Sequence, residues 1–155
     1  MLYDVSVSID APREEVWQIL TDVSHWQEWE PNVVKIDGEV AVGELLTVHT
    51  RLSERAFPAK VTVLDGPKRM VWSWSLPFGM FKGERVFELT DTREGCEVYC
   101  GEEFSGWLLP VFGKTVPDLS HSFLEFGAGL KLKAEGLGSL SGYLEPEAAE
   151  PGSPA

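Results

Sequence analysis

Arg85 and Glu102 are the two side chains in this sequence with the best means to do chemistry. Each falls on the otherwise apolar face of a segment that alternates between apolar and polar residues, which is the pattern of a half-buried strand. When the apolar faces of these two strands are matched, Arg85 lies directly opposite Glu102, because a one-residue slip would turn one strand inside out. A β-bulge near Gly101 would turn Glu102 outward and remove the pairing.

Three roles fit such a pair. It can be a partly hydrated ion pair near the rim of the sheet, where it contributes little to stability. It can be a polar anchor in an apolar pocket, where it orients a ligand carboxylate, ketone or hydroxyl. It can also be catalytic, with Arg85 polarising a carbonyl and Glu102 moving a proton. The residues alone leave all three roles open.

The other reactive residues predict no site. His25, His49 and His121 lie on different predicted elements, so we expect no metal centre. Cys96 and Cys100 share one predicted strand, which places them about 13 Å apart at roughly 3.3 Å per residue and beyond disulfide reach. The sequence has no serine nucleophile elbow and no glycine-rich phosphate loop. We therefore predict no metal, no cofactor, and two cysteines that act as small core residues.

Most of the chain before residue 105 predicts antiparallel strands joined by short turns. Alternation over residues 3–9 indicates the first strand. Pro12 then opens a short helix over residues 13–20, and a second short helix covers residues 23–29. Six further strands are predicted at residues 33–38, 46–52, 57–63, 69–76, 81–89 and 96–104.

The longest helical pattern covers residues 117–136. Pro117 and Asp118 are typical of a helix start. The large apolar residues recur at helical spacing, and they are Leu119, Phe123, Phe126 and Leu130. Such a helix needs an apolar surface, which the strands supply. Gly127 and Gly129 each cost about 1 kcal/mol relative to alanine inside a helix, so they indicate either close packing on the sheet or room for a ligand.

Composition restricts the class of protein. The chain has 155 residues, 43% of them hydrophobic, and a formal net charge of −12, which fits one soluble domain. The negative charge disfavours binding to nucleic acid. We expect a cytoplasmic protein without stable membrane insertion, because no signal peptide and no apolar run of about 20 residues is visible. Residues 137–155, rich in Gly, Pro and Glu, predict a flexible tail after a domain at 1–136.

Several motifs resemble one known group of proteins. The opening signature of the START-like, or SRPBCC, superfamily is similar to Ile9-x-Ala11-Pro12-x-x-x-Val16-Trp17-x-x-Leu20-x-Asp22, followed by Trp26, Trp29 and Pro31. The later parts of the pattern resemble Gly43-x-x-Leu46, Glu103-Phe104-Ser105-Gly106 and Leu130-Lys131-x-Lys133-Ala134-Glu135. The resemblance covers about residues 3–136. This superfamily includes the polyketide cyclase/dehydrase and lipid-transport proteins.

The resemblance implies an α+β helix-grip fold. In that fold a curved antiparallel sheet of about seven strands wraps around a long C-terminal helix, and two short helices follow strand 1. A hydrophobic cavity between sheet and helix is implied as well. We therefore expect the protein to bind a hydrophobic or amphipathic small molecule that is lipid-, sterol- or polyketide-like. The alternatives are a cyclase or dehydratase acting on a polyketide-like substrate, and a protein that docks a partner through apolar loops.

The expected ligand contacts lie on the inward faces of the strands and of the long helix. They are Trp72, Trp74, Arg85, Phe87, Glu102, Phe104, Phe123, Phe126 and Leu130. Trp72 and Trp74 can belong to the core or to a cavity wall, whereas the tryptophans of the short helices are expected to pack there. Two apolar segments are expected to flank the cavity mouth or, alternatively, to form a homodimer contact. Their principal residues are Phe78, Met80, Trp107 and Leu109.

Overall fold

A computed structural model describes residues 1–114 and 116–136. The strands are β1 Leu2–Ile9, β2 Val33–Asp37, β3 Leu45–Thr50, β4 Phe57–Asp65, β5 Arg69–Ser75, β6 Lys82–Asp91 and β7 Cys96–Ser105. The α-helices of this part of the chain are α1 Arg13–Thr21, α2 Leu109–Phe112 and α3 Ser120–Ala134, and 3₁₀ helices cover Val23–Glu28 and Pro77–Gly79. The predicted tail at residues 137–155 lies outside the described residues.

All seven strands belong to one antiparallel sheet. Their order is β1-β7-β6-β5-β4-β3-β2. Strands β2 to β7 therefore form a meander, and the last strand, β7, pairs with the first strand, β1. The sheet curls into a half-barrel around α3, which packs against β1 and α1. The predicted helix-grip fold is therefore confirmed, and the inner face of the sheet, the short helices and α3 together enclose the interior.

The register of β6 and β7 is the predicted one. It is continuous along both strands, and its pairs include Leu89 with Val98, Phe87 with Cys100, and Arg85 with Glu102. No bulge interrupts β7 near Gly101 on either of its two ladders. Because the apolar residues alternate without a break here, Arg85 and Glu102 both point to the inner face.

The long helix starts later than the sequence predicts. Its first residue is Ser120, and Leu119 is the N-cap residue whose carbonyl accepts the N–H of Phe123. Asp118 lies outside the helix, where its Oδ1 accepts the backbone N–H of Ser120 at 3.0 Å. This local bond is an Asx turn that competes with helical geometry. The placement of Pro117 and Asp118 in the first helical turn is therefore wrong.

Close packing explains the two glycines in α3. A Cβ atom on Gly127 would lie 3.3 Å from Cγ2 of Val5 on β1. On Gly129 it would overlap the backbone carbonyl oxygen of Trp29. The alternative interpretation, room for a ligand beside these glycines, is wrong because β1 and the end of the second short helix already occupy that space.

An aromatic cluster of Trp26, Trp29, Trp72, Phe87 and Phe126 joins the three layers of the core. The ring centroids of Trp26 and Trp29 are 4.8 Å apart, and those of Trp26 and Trp72 are 5.1 Å apart. Phe126 of α3 lies 5.5 Å from Trp29 and 6.0 Å from Phe87. Trp26 also donates its Nε1–H to the Leu20 carbonyl at 3.0 Å. The short helices are thus fastened both to the sheet and to α3.

Candidate functional site

A cavity of about 370 Å³ lies between the inner face of the sheet, the second short helix and the start of α3. Its volume is within the usual range for small-molecule sites, about 300–1,000 Å³. The apolar wall consists mainly of Trp26, Val33, Val48, Ala59, Trp72, Trp74, Phe81, Phe104, Phe123 and Phe126. The same wall carries one basic side chain, Arg85, and two acidic ones, Glu30 and Glu102. The cavity is therefore apolar over most of its surface, and its polar lining also includes Asn32, Thr50, Ser53 and Ser122.

Arg85 and Glu102 form an ion pair on the cavity wall. Arg85 Nη2 lies 2.7 Å from Glu102 Oε2, and the two side chains are 25% and 8% exposed. Trp74 Nε1 donates to the other carboxylate oxygen at 3.3 Å. The guanidinium carbon is 5.1 Å from the centre of the Phe123 ring, a cation–π contact with α3. Burial lowers the pKa of Arg85, but Glu102, Cys100 and Glu30 together outweigh burial, so that pKa lies above its ordinary value.

Glu30 is a site residue that the sequence analysis missed. It is 5% exposed, and its Oε1 accepts the backbone N–H of Asn32 at 3.0 Å. Burial raises the pKa of this carboxyl, and the bond from Asn32 and the charge of Arg85 only partly oppose that rise. The turn after the second short helix directs Glu30 inward, because its backbone N–H bonds to the Trp26 carbonyl at 2.8 Å. Nothing in the periodicity of the sequence marks that turn.

Two further wall residues define what the site can do chemically. The indole Nε1–H of Trp72 is buried and has no hydrogen-bond partner among the described residues. The Cys100 thiol is buried, and burial raises its pKa to about 12. A thiol with that pKa is protonated at neutral pH, so Cys100 is no nucleophile. The Trp72 N–H is thus enclosed by protein atoms rather than open to the cavity, and the thiol is inert.

A family model described as polyketide cyclase / dehydrase and lipid transport matches residues 3–136. The chain belongs to this family. No protein with a curated description matches the sequence. The polyketide cyclase/dehydrase and lipid-transport family and its START-fold neighbours have a fold that binds hydrophobic ligands.

Solved structures share the fold at low sequence identity. A START superfamily protein from Mycobacterium smegmatis is 16% identical with a TM-score of 0.67, and the match covers 88% of this chain and 98% of that one. Hypothetical protein jhp0584 from Helicobacter pylori is 17% identical with a TM-score of 0.70, over 86% and 88% of the chains. DynU16, a putative protein in the dynemicin biosynthetic locus, is 21% identical with a TM-score of 0.69, over 88% and 48%.

Seven of the nine expected ligand contacts line the cavity of this family member. They are Trp72, Trp74, Arg85, Glu102, Phe104, Phe123 and Phe126. Phe87 and Leu130 do not line it, because both are fully enclosed in the core, Phe87 within the aromatic cluster. Their assignment as ligand contacts is corrected accordingly. Whether the other seven touch a ligand stays a prediction.

The expected mouth of the cavity is in the wrong place. None of Phe78, Met80, Trp107 and Leu109 lines the cavity. The two segments bond to each other instead, since Leu108 N–H donates to the Met80 carbonyl at 2.9 Å and Trp107 Nε1–H to the Phe78 carbonyl at 3.3 Å. Phe78 is 93% exposed, so a partner contact through this tip stays a prediction.

The cavity opens between the β3–β4 connection and the start of α3. Leu52 and Phe57 line it and are themselves partly exposed, at 50% and 36%. Val116, Pro117 and Leu119 line it from the segment that leads into α3. The late start of α3 therefore matters to the site, because it leaves these residues beside the opening rather than inside a helix.

The histidines and cysteines take no part in a metal centre within residues 1–114 and 116–136. His25, His49 and His121 each pair with a different carboxylate, at 2.8 to 3.1 Å. Cys96 and Cys100 are free and buried, as predicted. In the described ranges, no helix is long and apolar enough to span a bilayer.

We expect Glu30→Gln to stabilise the protein more at pH 8 than at pH 5. Folding raises the pKa of Glu30, so above about pH 4.5 the unfolded chain releases this proton before the folded chain does. Stability then falls as pH rises through the folded pKa, and an uncharged glutamine removes this dependence. Melting curves should show an extra gain of about 2–4 °C at pH 8, which corresponds to about 1 kcal/mol. A gain that is equal at both pH values contradicts a raised pKa.

Proposed function

We propose that this protein binds an apolar or amphipathic small molecule, lipid-, sterol- or polyketide-like, in the cavity between the sheet and α3. The observation that carries the proposal is an apolar cavity of ligand size that is also lined by the acidic and basic side chains Glu30, Arg85 and Glu102. Such a site holds the body of a ligand by apolar contact and orients it through a few polar bonds. The family assignment supports the same conclusion.

Native mass spectrometry of freshly purified protein is the first test. A compound that co-purifies at one copy per chain supports binding. Ala59→Phe should reduce its occupancy at least about tenfold, because Ala59 is a buried wall residue of β4 and a phenyl ring there would fill the cavity. Lys60→Phe is the matched control, since Lys60 is the next residue and lies exposed on the opposite face. Equal occupancy in both variants would place the ligand elsewhere.

Glu30 supports a second candidate function, the dehydration of a β-hydroxy ketone. Arg85 would stabilise the enolate oxygen that forms when Glu30 takes the α-proton. The electron pair of that C–H bond then forms the C=C bond, the C–O bond breaks, and Glu30 returns the proton to the leaving hydroxyl as water. A buried carboxyl with a raised pKa is suited to such proton exchange. Both oxygens of Glu102 are already bonded, so Glu102 is less suited.

The test of this second candidate uses 4-hydroxydecan-2-one as the probe. The enone product, dec-3-en-2-one, is followed by its ultraviolet absorbance. Glu30→Gln should lower the rate at least about 100-fold, whereas Glu103→Gln, which removes the same charge from the exposed face of β7, should leave it unchanged. Absence of enone with the unaltered protein would leave binding as the function.

A further inference from the structure

The charges on the cavity wall nearly cancel. Arg85 contributes one positive charge and Glu102 one negative charge, and they are joined at 2.7 Å. Glu30 is the third side chain on this wall that can carry a charge. Burial favours its neutral form. The net charge facing the cavity is therefore zero when Glu30 is protonated and −1 when it is not. Despite its arginine, the site has no positive charge to spare.

The acceptors of the charged side chains on this wall are largely occupied by hydrogen bonds, whereas the donors are not. Both oxygens of Glu102 already accept a bond, one from Arg85 and one from Trp74. Oε1 of Glu30 accepts from Asn32. In contrast, Arg85 lines the cavity and uses one of its five N–H groups for Glu102. The unmet need at this end of the cavity is for an acceptor.

We propose that the Arg85–Glu102 pair on the cavity wall selects a ligand whose polar group is an uncharged oxygen acceptor, a ketone or a hydroxyl, over the carboxylate of equal chain length. This inference rests on the proposed function, because it concerns the same cavity. A ketone or hydroxyl accepts from an N–H group of Arg85 and adds no charge. A carboxylate adds a negative charge where Glu102 has already neutralised Arg85, and an unbalanced charge in an apolar site is costly.

A set of three ligands with equal chain length tests the selectivity. Decan-2-one, decan-1-ol and decanoate are titrated into the full-length protein by isothermal calorimetry at pH 7.5. We expect the ketone and the alcohol to bind at least about tenfold more tightly than decanoate. Decanoate binding as tightly as the ketone would overturn the selectivity while leaving the proposed function intact. Binding of none of the three would overturn both.

The pH dependence in the unaltered protein is an independent measurement. If the site accepts decanoate only in its uncharged form, the decanoate affinity rises about tenfold for each unit of pH lowered between 7.5 and 5.5. Decan-2-one has no titrating group, so any change of its affinity with pH comes from the protein groups at the site, namely Glu30, Glu102, Arg85 and Cys100. Its affinity therefore serves as the reference for the decanoate affinity. We expect the ratio of the two affinities to approach one as pH falls. A ratio that stays constant overturns the inference.

Removal of the compensating charge should reverse the preference. Glu102→Gln keeps an oxygen for the Trp74 indole but leaves Arg85 unbalanced, so decanoate should gain at least about tenfold relative to decan-2-one. Glu103→Gln is the matched control, because it makes the same change in net charge on the adjacent, exposed residue. An unchanged ratio in a Glu102→Gln protein that melts cooperatively overturns the proposal. If that variant does not fold, the pH measurement decides.

Discussion

Gly129→Ala is expected to lower the melting temperature by about 6–12 °C, which corresponds to about 3 kcal/mol in a domain of this size. The added methyl would overlap the carbonyl oxygen of Trp29, which is backbone and cannot rotate away. To relieve the overlap, α3 must move away from the second short helix, and that movement opens the contact between Phe126 and Trp29. Thermal melting followed by circular dichroism measures the change.

Gly127→Ala is the matched control for this prediction. It adds the same methyl to the same helix, but the nearest atom is a side-chain methyl of Val5 at 3.3 Å, which can shift slightly. The helix also gains about 1 kcal/mol in propensity when glycine becomes alanine. We expect a change of less than about 3 °C for this variant. Equal losses in the two variants would show that general crowding, rather than the Trp29 carbonyl, limits the helix position.

Arg85→Met should cost about 3 kcal/mol of stability at neutral pH. The change leaves the Glu102 carboxylate buried with only the Trp74 indole as its partner. Loss of one member of a buried ion pair typically costs about 3–5 kcal/mol, and we take the lower end because Arg85 is 25% exposed. Methionine retains most of the aliphatic length but also loses the cation–π contact of the guanidinium with Phe123. Urea unfolding at pH 7.5 measures the loss.

The double variant Arg85→Met with Glu102→Gln separates charge from packing. It removes both charges, yet the glutamine oxygen still accepts from Trp74. We expect its stability to return to within about 1 kcal/mol of the original protein, because a neutral pair can replace a buried ion pair at little cost. A double variant as unstable as Arg85→Met would mean that Arg85 acts by filling space and not by balancing Glu102.

The register of β6 with β7 was predictable because both strands alternate without a break. Alternation places Phe87, Leu89 and Val98 inward, and a one-residue slip would turn the apolar face of one strand outward. The same pairing predicts from the sequence alone that Arg85 lies opposite Glu102. Most of the cavity wall followed from the same rule, because wall residues and core residues of one strand share a face.

The remaining features depend on geometry that periodicity does not encode. Phe126 and Leu130 share one helical stripe, but only Phe126 reaches the cavity, since the position of α3 along the sheet decides which turn faces it. Glu30 turns inward through backbone bonds in an irregular segment. The apolar character of the Phe78 tip predicts a position at the cavity mouth, but the Phe78 carbonyl accepts a hydrogen bond from Trp107 instead.

Trp26, Trp29 and Trp72 lie close enough together to report on the cavity by their own fluorescence, without an added label. Trp26 lies within about 5 Å of both Trp29 and Trp72, counted between ring centres. Indoles at such separations share their excited states, so light absorbed by any of them is distributed over the trio. Trp26 and Trp72 line the cavity, whereas Trp29 does not. A molecule that reaches only Trp72 therefore changes the emission of all three, and its arrival can be timed by stopped-flow fluorescence.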